Sequence, residues 1–334
     1  MRNSKILLLG ILCALFVVTS CSKKEDPVEP TVNESLVLAQ FLESTNNPLG
    51  KDYVNTDMPS IIKASDVQAL NLTGQIYVID IRSAADFALG HIENAVNVSL
   101  ADVLTHIDGM DLSAYTKVAI VCYTGQSAGF ATILLRLMGY EKVFSMKWGM
   151  CSWHTDFATK WLNAVANGNA YASQFTPTSS PKDAIGAMPL LATGQTTGAA
   201  ILSARVAALF AEGYGPAKVS NTEVFNNLTN YYIVNYWPAD RYADPGHIPG
   251  AIQYTPKDAM KTTTDLKTLP TNKPIVLYCY TGQNSSFLAA YLRLLGYDAK
   301  SLLYGANAMI YDLLVAKGWT VFNNDQIMDY PYVL

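Results

Sequence analysis

Two cysteines, Cys122 and Cys279, stand in identical pentapeptides, Cys-Tyr-Thr-Gly-Gln, each following an apolar run and preceding a helix-like stretch. A thiol reacts as its thiolate, and a helix N-terminus with unpaired N–H groups favours that anion. Tyr123, Thr124, Gly125, Gln126 and Ser127 follow the first cysteine; Tyr280, Thr281, Gly282, Gln283 and Asn284 follow the second. Each glycine permits a tight curl, and N–H groups turned inwards form an anion nest. Such a nest would hold the outer sulfur of a persulfide or the oxygens of an oxyanion substrate. The ordinary alternative is a buried cysteine closing a core strand. Recurrence of the whole loop argues against it.

The spacing between the loops continues through Leu135-Arg136-Leu137 and Leu292-Arg293-Leu294, so two copies of one domain are expected. In the first copy the pattern predicts helix at Asp66 to Leu70, strand at Ile76 to Ile79, a helical turn at Ala84 to Ala88 and strand at Ala95 to Val98. Helix at Leu100 to His106, strand at Val118 to Val121, helix at Ser127 to Met138, strand at Lys142 to Ser145 and helix from about Trp153 follow. The second copy repeats the order, with helix at Ser203 to Ala211, strands at Tyr231 to Val234 and Ile275 to Tyr278, helix at Asn284 to Leu295 and strand near Lys300 to Leu303. Short apolar strands alternating with helices mean an α/β fold, each copy a parallel sheet with helices on both faces. Both cysteines then lie past the C-terminal end of a strand, where open α/β sheets bind ligands.

With 334 residues, 50% of them hydrophobic and 15% charged, the chain has the composition of a packed protein of two domains. Residues 1–20 read as an export signal, with basic Arg2 and Lys5 before an apolar stretch too short to span a bilayer. Val18-Thr19-Ser20-Cys21 resembles the lipobox of bacterial lipoproteins, which implies a lipidated Cys21 and a membrane anchor. Residues 21–59 are read as tether and lead-in, 60–166 as the first domain, 167–200 as a linker rich in Asn, Thr, Ser, Pro and Gly, and 201–334 as the second domain. Ser22 after the cysteine does not resemble an inner-membrane retention signal, so the expected place is the outer membrane, facing periplasm or surface. The formal charge of −4 becomes more negative without the signal, which leaves no basic footprint for nucleic acid.

Around the loops the chain resembles the rhodanese family of sulfurtransferases in tandem-domain form. The resemblance rests on Asp80-Ile81-Arg82, Asp86-Phe87, Gly90-His91-Ile92 with Ala95, the cysteine loop, and Trp148-Gly149-Met150 with Trp153. In the second half it rests on Gly246-His247-Ile248-Pro249-Gly250-Ala251 and Cys279. It covers about residues 60–162 and 203–318. It implies that Cys122 and Cys279 are the catalytic residues, taking sulfane sulfur from a small sulfur-containing anion or persulfide donor and passing it to a thiol or cyanide. The loop residues would bind substrate. No metal or organic cofactor is implied. The rival reading is a non-enzymatic sulfur carrier or interaction module, partnered with other proteins of the cell envelope.

Departures from the family pattern sharpen the expectation. Asn235-Tyr236-Trp237 replaces Asp-x-Arg in the second half, but Arg241-Tyr242 matches the family's arginine–aromatic pair, so Arg241 is expected to hold the donor beside Cys279. In the first half Arg82 is the only nearby cation in sequence, and Asp80 with Arg82 reads chiefly as a structural ion pair. Cys279 is thus the expected site of turnover. Related phosphatases and arsenate reductases require arginine six positions after the cysteine; Ala128 and Ser285 stand there and argue against phosphoryl chemistry. His91 and His247 are read as structural bonds at a strand entry. Cys151 is a candidate resolving thiol for Cys122, with a small buried core residue as the alternative.

Overall fold

The central strands of both halves are buried on both faces, which is why they read as unbroken apolar runs. The computed structural model describes residues 32–334; the export signal, Cys21 and the start of the tether lie outside the described residues. The first half runs α1 (Glu34–Glu43), α2 (Tyr53–Thr56), β1 (Ile61–Ile62), α3 (Ala64–Leu72), β2 (Ile76–Asp80), α4 (Ala84–Ala88) and β3 (Val96–Asn97). It continues with α5 (Val103–Asp108), β4 (Lys117–Val121), α6 (Gln126–Leu137), β5 (Val143–Met146) and α7 (Thr159–Ala166). The second half holds α8 (Gly198–Glu212), β6 (Lys218–Val219), α9 (Asn221–Asn226), β7 (Tyr232–Asn235), α10 (Ala239–Ala243) and β8 (Ile252–Gln253). It closes with β9 (Ile275–Tyr278), α11 (Gln283–Leu294), β10 (Ala299–Leu302) and α12 (Tyr311–Ala316).

Each half forms a five-stranded sheet, ordered β1-β5-β4-β2-β3 in the first and β6-β10-β9-β7-β8 in the second. Every strand pairing is parallel. The identical orders establish the duplication, and both cysteines follow the middle strand of their sheet. An α/β fold with parallel sheets and helices is thereby shown. The two-residue edge strands β1, β6 and β8 escape sequence reading because they give no periodicity to detect, whereas β3 lies inside the longer expected run Ala95 to Val98.

Helices α6 and α11 carry the architecture between the halves. Eleven of the twelve residues of α6 are buried, from Gln126 to Leu137, with Ser127 the exception. Such a helix needs cover on every side. Its own sheet supplies one side and α11 the other, so closely that a Cβ on Gly129 would lie 3.0 Å from the Phe287 ring. Phe130, Leu134, Phe287 and Tyr291 join one apolar core spanning both halves.

The chain ends are exchanged between the halves. Ser35 in α1 donates to Leu295 O at 2.6 Å, and the Glu34 carboxylate accepts from Thr193 and Gly194. At the other end Met328 N donates to Ser152 O and Tyr330 N to Trp153 O, while Val333 bridges to His91. The lead-in thus packs on the second half and the C-terminal segment on the first.

Most element boundaries shift by one to three residues from the sequence reading, and two helix starts shift by five or more. Helix α8 begins at Gly198, ahead of the expected Ser203, because Thr197 Oγ1 caps it by accepting from Ala200 N. The helix expected from Trp153 begins only at Thr159, since the segment before it is spent on short turns that grip the cysteine loop. The stretch read as linker is strapped down, with Thr176 paired to His247 and Gly186 N donating to Lys267 O. Among the described residues no helix is long and apolar enough to cross a membrane.

Candidate active site

At the end of β4, Cys122 Sγ accepts from Gly125 N at 3.1 Å and from Ala128 N at 3.4 Å. Gly125 makes this possible by adopting φ +82° at the N-cap of α6. The loop therefore curls its first amides onto the sulfur, at the positive end of the helix. Cys279 sits likewise at the end of β9, with Gly282 at φ +75°. Its Sγ accepts from Ser285 N at 3.4 Å and lies 3.5 Å from Ser285 Oγ. The serine hydroxyl is itself 2.8 Å from Ser301 Oγ, which donates to Gly282 O. Both cysteines are only a few per cent exposed.

Each loop is pinned from outside by the segment that follows the next strand. Met150 N donates to Cys122 O and Cys151 N to Tyr123 O, while the Trp161 indole donates to Thr124 O at 3.1 Å. In the second half Ala306 N donates to Cys279 O, and Tyr280 O accepts from both the backbone and side chain of Asn307. With its carbonyls held outwards, the loop's amides stay free to face the sulfur.

A cavity of about 260 Å³ opens beside Cys122, lined by Tyr123, Thr124, Gln126 and Ser127 of the loop and by Arg82 and Lys160. Tyr214, Lys218, Leu303 and Tyr304 of the second half complete it. A second cavity, also about 260 Å³, opens beside Cys279 and takes Pro59, Ile61 and Lys147 from the first half. Tyr280, Thr281, Gln283 and Asn284 of the loop line it. Among the described residues no carboxylate lines either cavity.

The charges differ from the sequence-based expectation. Arg82 is bound to Asp80 through Nε and Nη2, at 2.6 to 3.0 Å, and Nη2 also donates to Gly90 O. This buried pair supports the strand end, as a structural ion pair should. Arg82 still lines the cavity, and its Nη1 has no partner among the described residues. Lys160 lies over the Tyr123 ring at 3.7 Å, and Tyr123 donates to Asp86. Burial, reinforced by the Asp86 charge, raises the Tyr123 phenol and keeps it a donor.

Arg241 does not line the Cys279 cavity. It donates to Tyr280 OH at 3.1 Å and stacks over Trp319. Asn235 and Trp237 occupy the places held by Asp80 and Arg82 in the first half, since Asn235 pairs across from Tyr278 as Asp80 does from Val121. Asn235 donates to Tyr278 OH, and the Trp237 ring stacks on Tyr280 at 4.8 Å. An aromatic stack thus replaces the ion pair. Among the described residues the only cation lining this cavity is Lys147, whose ammonium burial and neighbouring Lys63 hold below the ordinary lysine range. The Cys122 cavity is therefore the more cationic, opposite to the sequence reading. Lys147 and Lys218 escaped that reading because each comes from the half that does not contain the cysteine it borders.

The remaining candidates fall away from the cavities. Cys151 is fully buried among Trp148, Trp161 and Phe322, donates to Phe157 O at 3.1 Å, and has its thiol pushed up to about 12 by burial. That placement suits the core residue rather than the resolving thiol. His91 Nδ1 lies 3.0 Å from Phe87 O and His247 Nδ1 3.0 Å from Tyr242 O, each ring stacked on the aromatic it bonds behind. The described residues hold no cluster of His, Cys, Asp and Glu suited to a metal ion.

A family model described as a rhodanese-like domain matches residues 63–156 and 222–310, more than half of the chain. Thiosulfate sulfurtransferase GlpE of Pseudomonas fluorescens strain Pf0-1 is 34% identical over 99 residues, covering 30% of this chain and 88% of that protein. GlpE of Pseudomonas putida strain GB-1 is 36% identical over 101 residues, covering 30% and 90%. The adenylyltransferase and sulfurtransferase uba4 of Ogataea parapolymorpha is 26% identical over 87 residues; the match takes in 26% of this chain and only 22% of that longer protein. Among solved structures, the 3-mercaptopyruvate sulfotransferase SseA of Escherichia coli aligns at 18% identity and a TM-score of 0.28, covering 74% of this chain and 98% of that one.

Proposed function

We propose, for a chain that belongs to the rhodanese-like domain family through both of its halves, a sulfurtransferase that carries sulfane sulfur as a cysteine persulfide. The observation behind this reading is Cys122 Sγ at the foot of a cation-lined cavity, with two backbone amides directed at it. The thiolate would attack the outer sulfur of a thiosulfate-type donor. A Sγ–S bond forms, the donor S–S bond breaks, and the electron pair leaves with sulfite. An acceptor thiolate or cyanide then attacks the outer sulfur and returns the electron pair to Sγ, so the protein undergoes no net oxidation. The amides of Gly125 and Ala128 would stabilise the persulfide charge between the two steps. Two relatives named thiosulfate sulfurtransferase favour thiosulfate as donor.

Turnover is assigned to Cys122, whose cavity holds Arg82, Lys160 and Lys218. The Cys279 site favours a second reading for its own half, a sulfur carrier or interaction module of a cell-envelope complex, because Arg241 is held by aromatic rings there. Thiocyanate release from thiosulfate and cyanide tests the assignment. Cys122→Ser should abolish release and Cys279→Ser should retain most of it; undiminished turnover by Cys122→Ser would refute the assignment.

We further propose that the protein is anchored by lipid at Cys21 and faces the periplasm or surface from the outer membrane, on the strength of Val18-Thr19-Ser20-Cys21. Incorporation of labelled fatty acid in cells, lost in Cys21→Ser, is the expected result. Equal labelling of that variant would contradict it.

A further inference from the structure

The two cysteine cavities exchange lysines between the halves. In register, Ile61 aligns with Ser145 on β5 and Lys218 with Ser301 on β10, so Ile61 and Lys218 hold equivalent places in the two sheets. Lys147 and Leu303 follow the equivalent pair Met146 and Leu302, and so hold a second pair of equivalent places. The Cys122 cavity receives Lys218 and Leu303 from the second half; the Cys279 cavity receives Ile61 and Lys147 from the first. Each cavity thus gains one lysine and one aliphatic residue from the opposite half, with the two positions swapped.

We propose that Lys218 and Lys147 are the donor-recognition residues of the Cys122 and Cys279 sites, each supplied across the interface by the half that lacks that cysteine. The inference rests on the sulfurtransferase reading and names its substrate class as a small sulfur anion. At Cys122 the two nearest amides are already spent on Sγ, so the charge of an incoming dianion needs another partner. Arg82 commits Nε and Nη2 to Asp80 and Gly90, with only Nη1 left unpartnered among the described residues, and Lys160 lies 3.7 Å over the Tyr123 ring, so each offers only part of its charge. Lys218 and Lys147 form no ion pair among the described residues and lie farther from their nearest rings, 5.9 Å from Tyr214 and 5.1 Å from Trp148. An ammonium beside a bound anion in a partly desolvated cavity outweighs the same pair in open water several-fold. Lysine from either of two equivalent positions meets this need, which accounts for a swapped rather than a repeated residue. A separated half would lose its donor cation.

The test uses the full chain in two backgrounds, Cys279→Ser to isolate Cys122 and Cys122→Ser to isolate Cys279. Loading is followed by intact mass against the concentration of thiosulfate, read as one added sulfur with sulfite leaving, and separately of a neutral dialkyl trisulfide, read as the alkyl mixed disulfide or trisulfide with an alkyl persulfide or thiolate leaving. Lys218→Met in the first background and Lys147→Met in the second should each raise the thiosulfate concentration for half-maximal loading on the order of tenfold. Loading from the trisulfide should change little, and Lys218→Arg should restore the thiosulfate response. Thiosulfate loading indifferent to both substitutions, or an equal loss with the neutral donor, overturns the assignment alone. Absence of loading by any donor in the unsubstituted chain overturns the transferase reading and this assignment with it.

Discussion

Gln126 Oε1 accepts a hydrogen bond from the backbone N–H of Tyr304 at 2.9 Å, joining the cysteine loop of the first half to the segment that closes the second. Gln283 makes the reciprocal crossing, donating to Ser145 Oγ at 2.6 Å and to Met146 O at 3.2 Å. The glutamine of each repeated pentapeptide is thus an interface residue, and each loop's shape depends on the opposite half. Gln126→Ala leaves the Tyr304 amide without its partner and should lower stability by about 1–3 kcal/mol in urea unfolding. Gly282→Ala, whose new Cβ would collide with Gln126 Oε1 and Tyr304 N at a left-handed backbone position, should cost at least as much. The two losses should be non-additive, because removing the glutamine side chain relieves part of the collision. Strict additivity would contradict the contact.

The buried Asp80–Arg82 pair makes a second prediction. Asp80→Asn strands the Arg82 guanidinium in a site only 1% accessible and should cost about 3–5 kcal/mol by denaturant unfolding. Breaking the half-exposed Lys51–Asp57 pair should cost under about 1 kcal/mol. Similar losses at both positions would contradict the burial argument.

Alkaline pH should weaken the fold. Burial pushes Tyr236 and Tyr304 up from 10.0 to about 12, and Cys151 from 9.0 to about 12. Each is neutral when protonated, so above its unfolded value the unfolded chain gives up a proton that the folded chain keeps. Stability therefore falls with rising pH from about 9 towards 12, where the folded groups also ionise. Urea midpoints measured across pH 8 to 11 on the order of one unit apart should decline steadily; a flat profile would contradict the raised phenols and thiol.

Cys151 should resist alkylation in the native protein and react only on unfolding, and Cys151→Ala should load sulfur on Cys122 normally. A Cys122–Cys151 disulfide or trisulfide trapped after mild oxidation would overturn its placement as a core residue.

The pattern of apolar runs revealed the sheets because central parallel strands are buried on both faces and leave a signal of several residues. Ile275 to Tyr278 was legible to the residue, whereas Ile61–Ile62 and Lys218–Val219 were too short to register. The cysteines and their loops were legible because their chemistry is local, an amide nest built by consecutive residues. Charge around them was not. Lys160, Lys147 and Lys218 reach the cavities only through tertiary packing, and the last two only because α6 and α11 bring the halves together. Arg241 misled for the complementary reason. It sits in the expected segment, but Tyr280 and Trp319 capture its guanidinium through stacking that spacing does not encode.

The most direct test of sulfur carriage is the intact mass of the full chain after incubation with thiosulfate or polysulfide, compared with Cys122→Ser, Cys279→Ser and the double variant. Added sulfur should fall in each single variant, be lost in the double, and leave Cys122 on addition of a thiol or cyanide acceptor. No adduct from either donor, or an adduct that survives in the double variant, would contradict it.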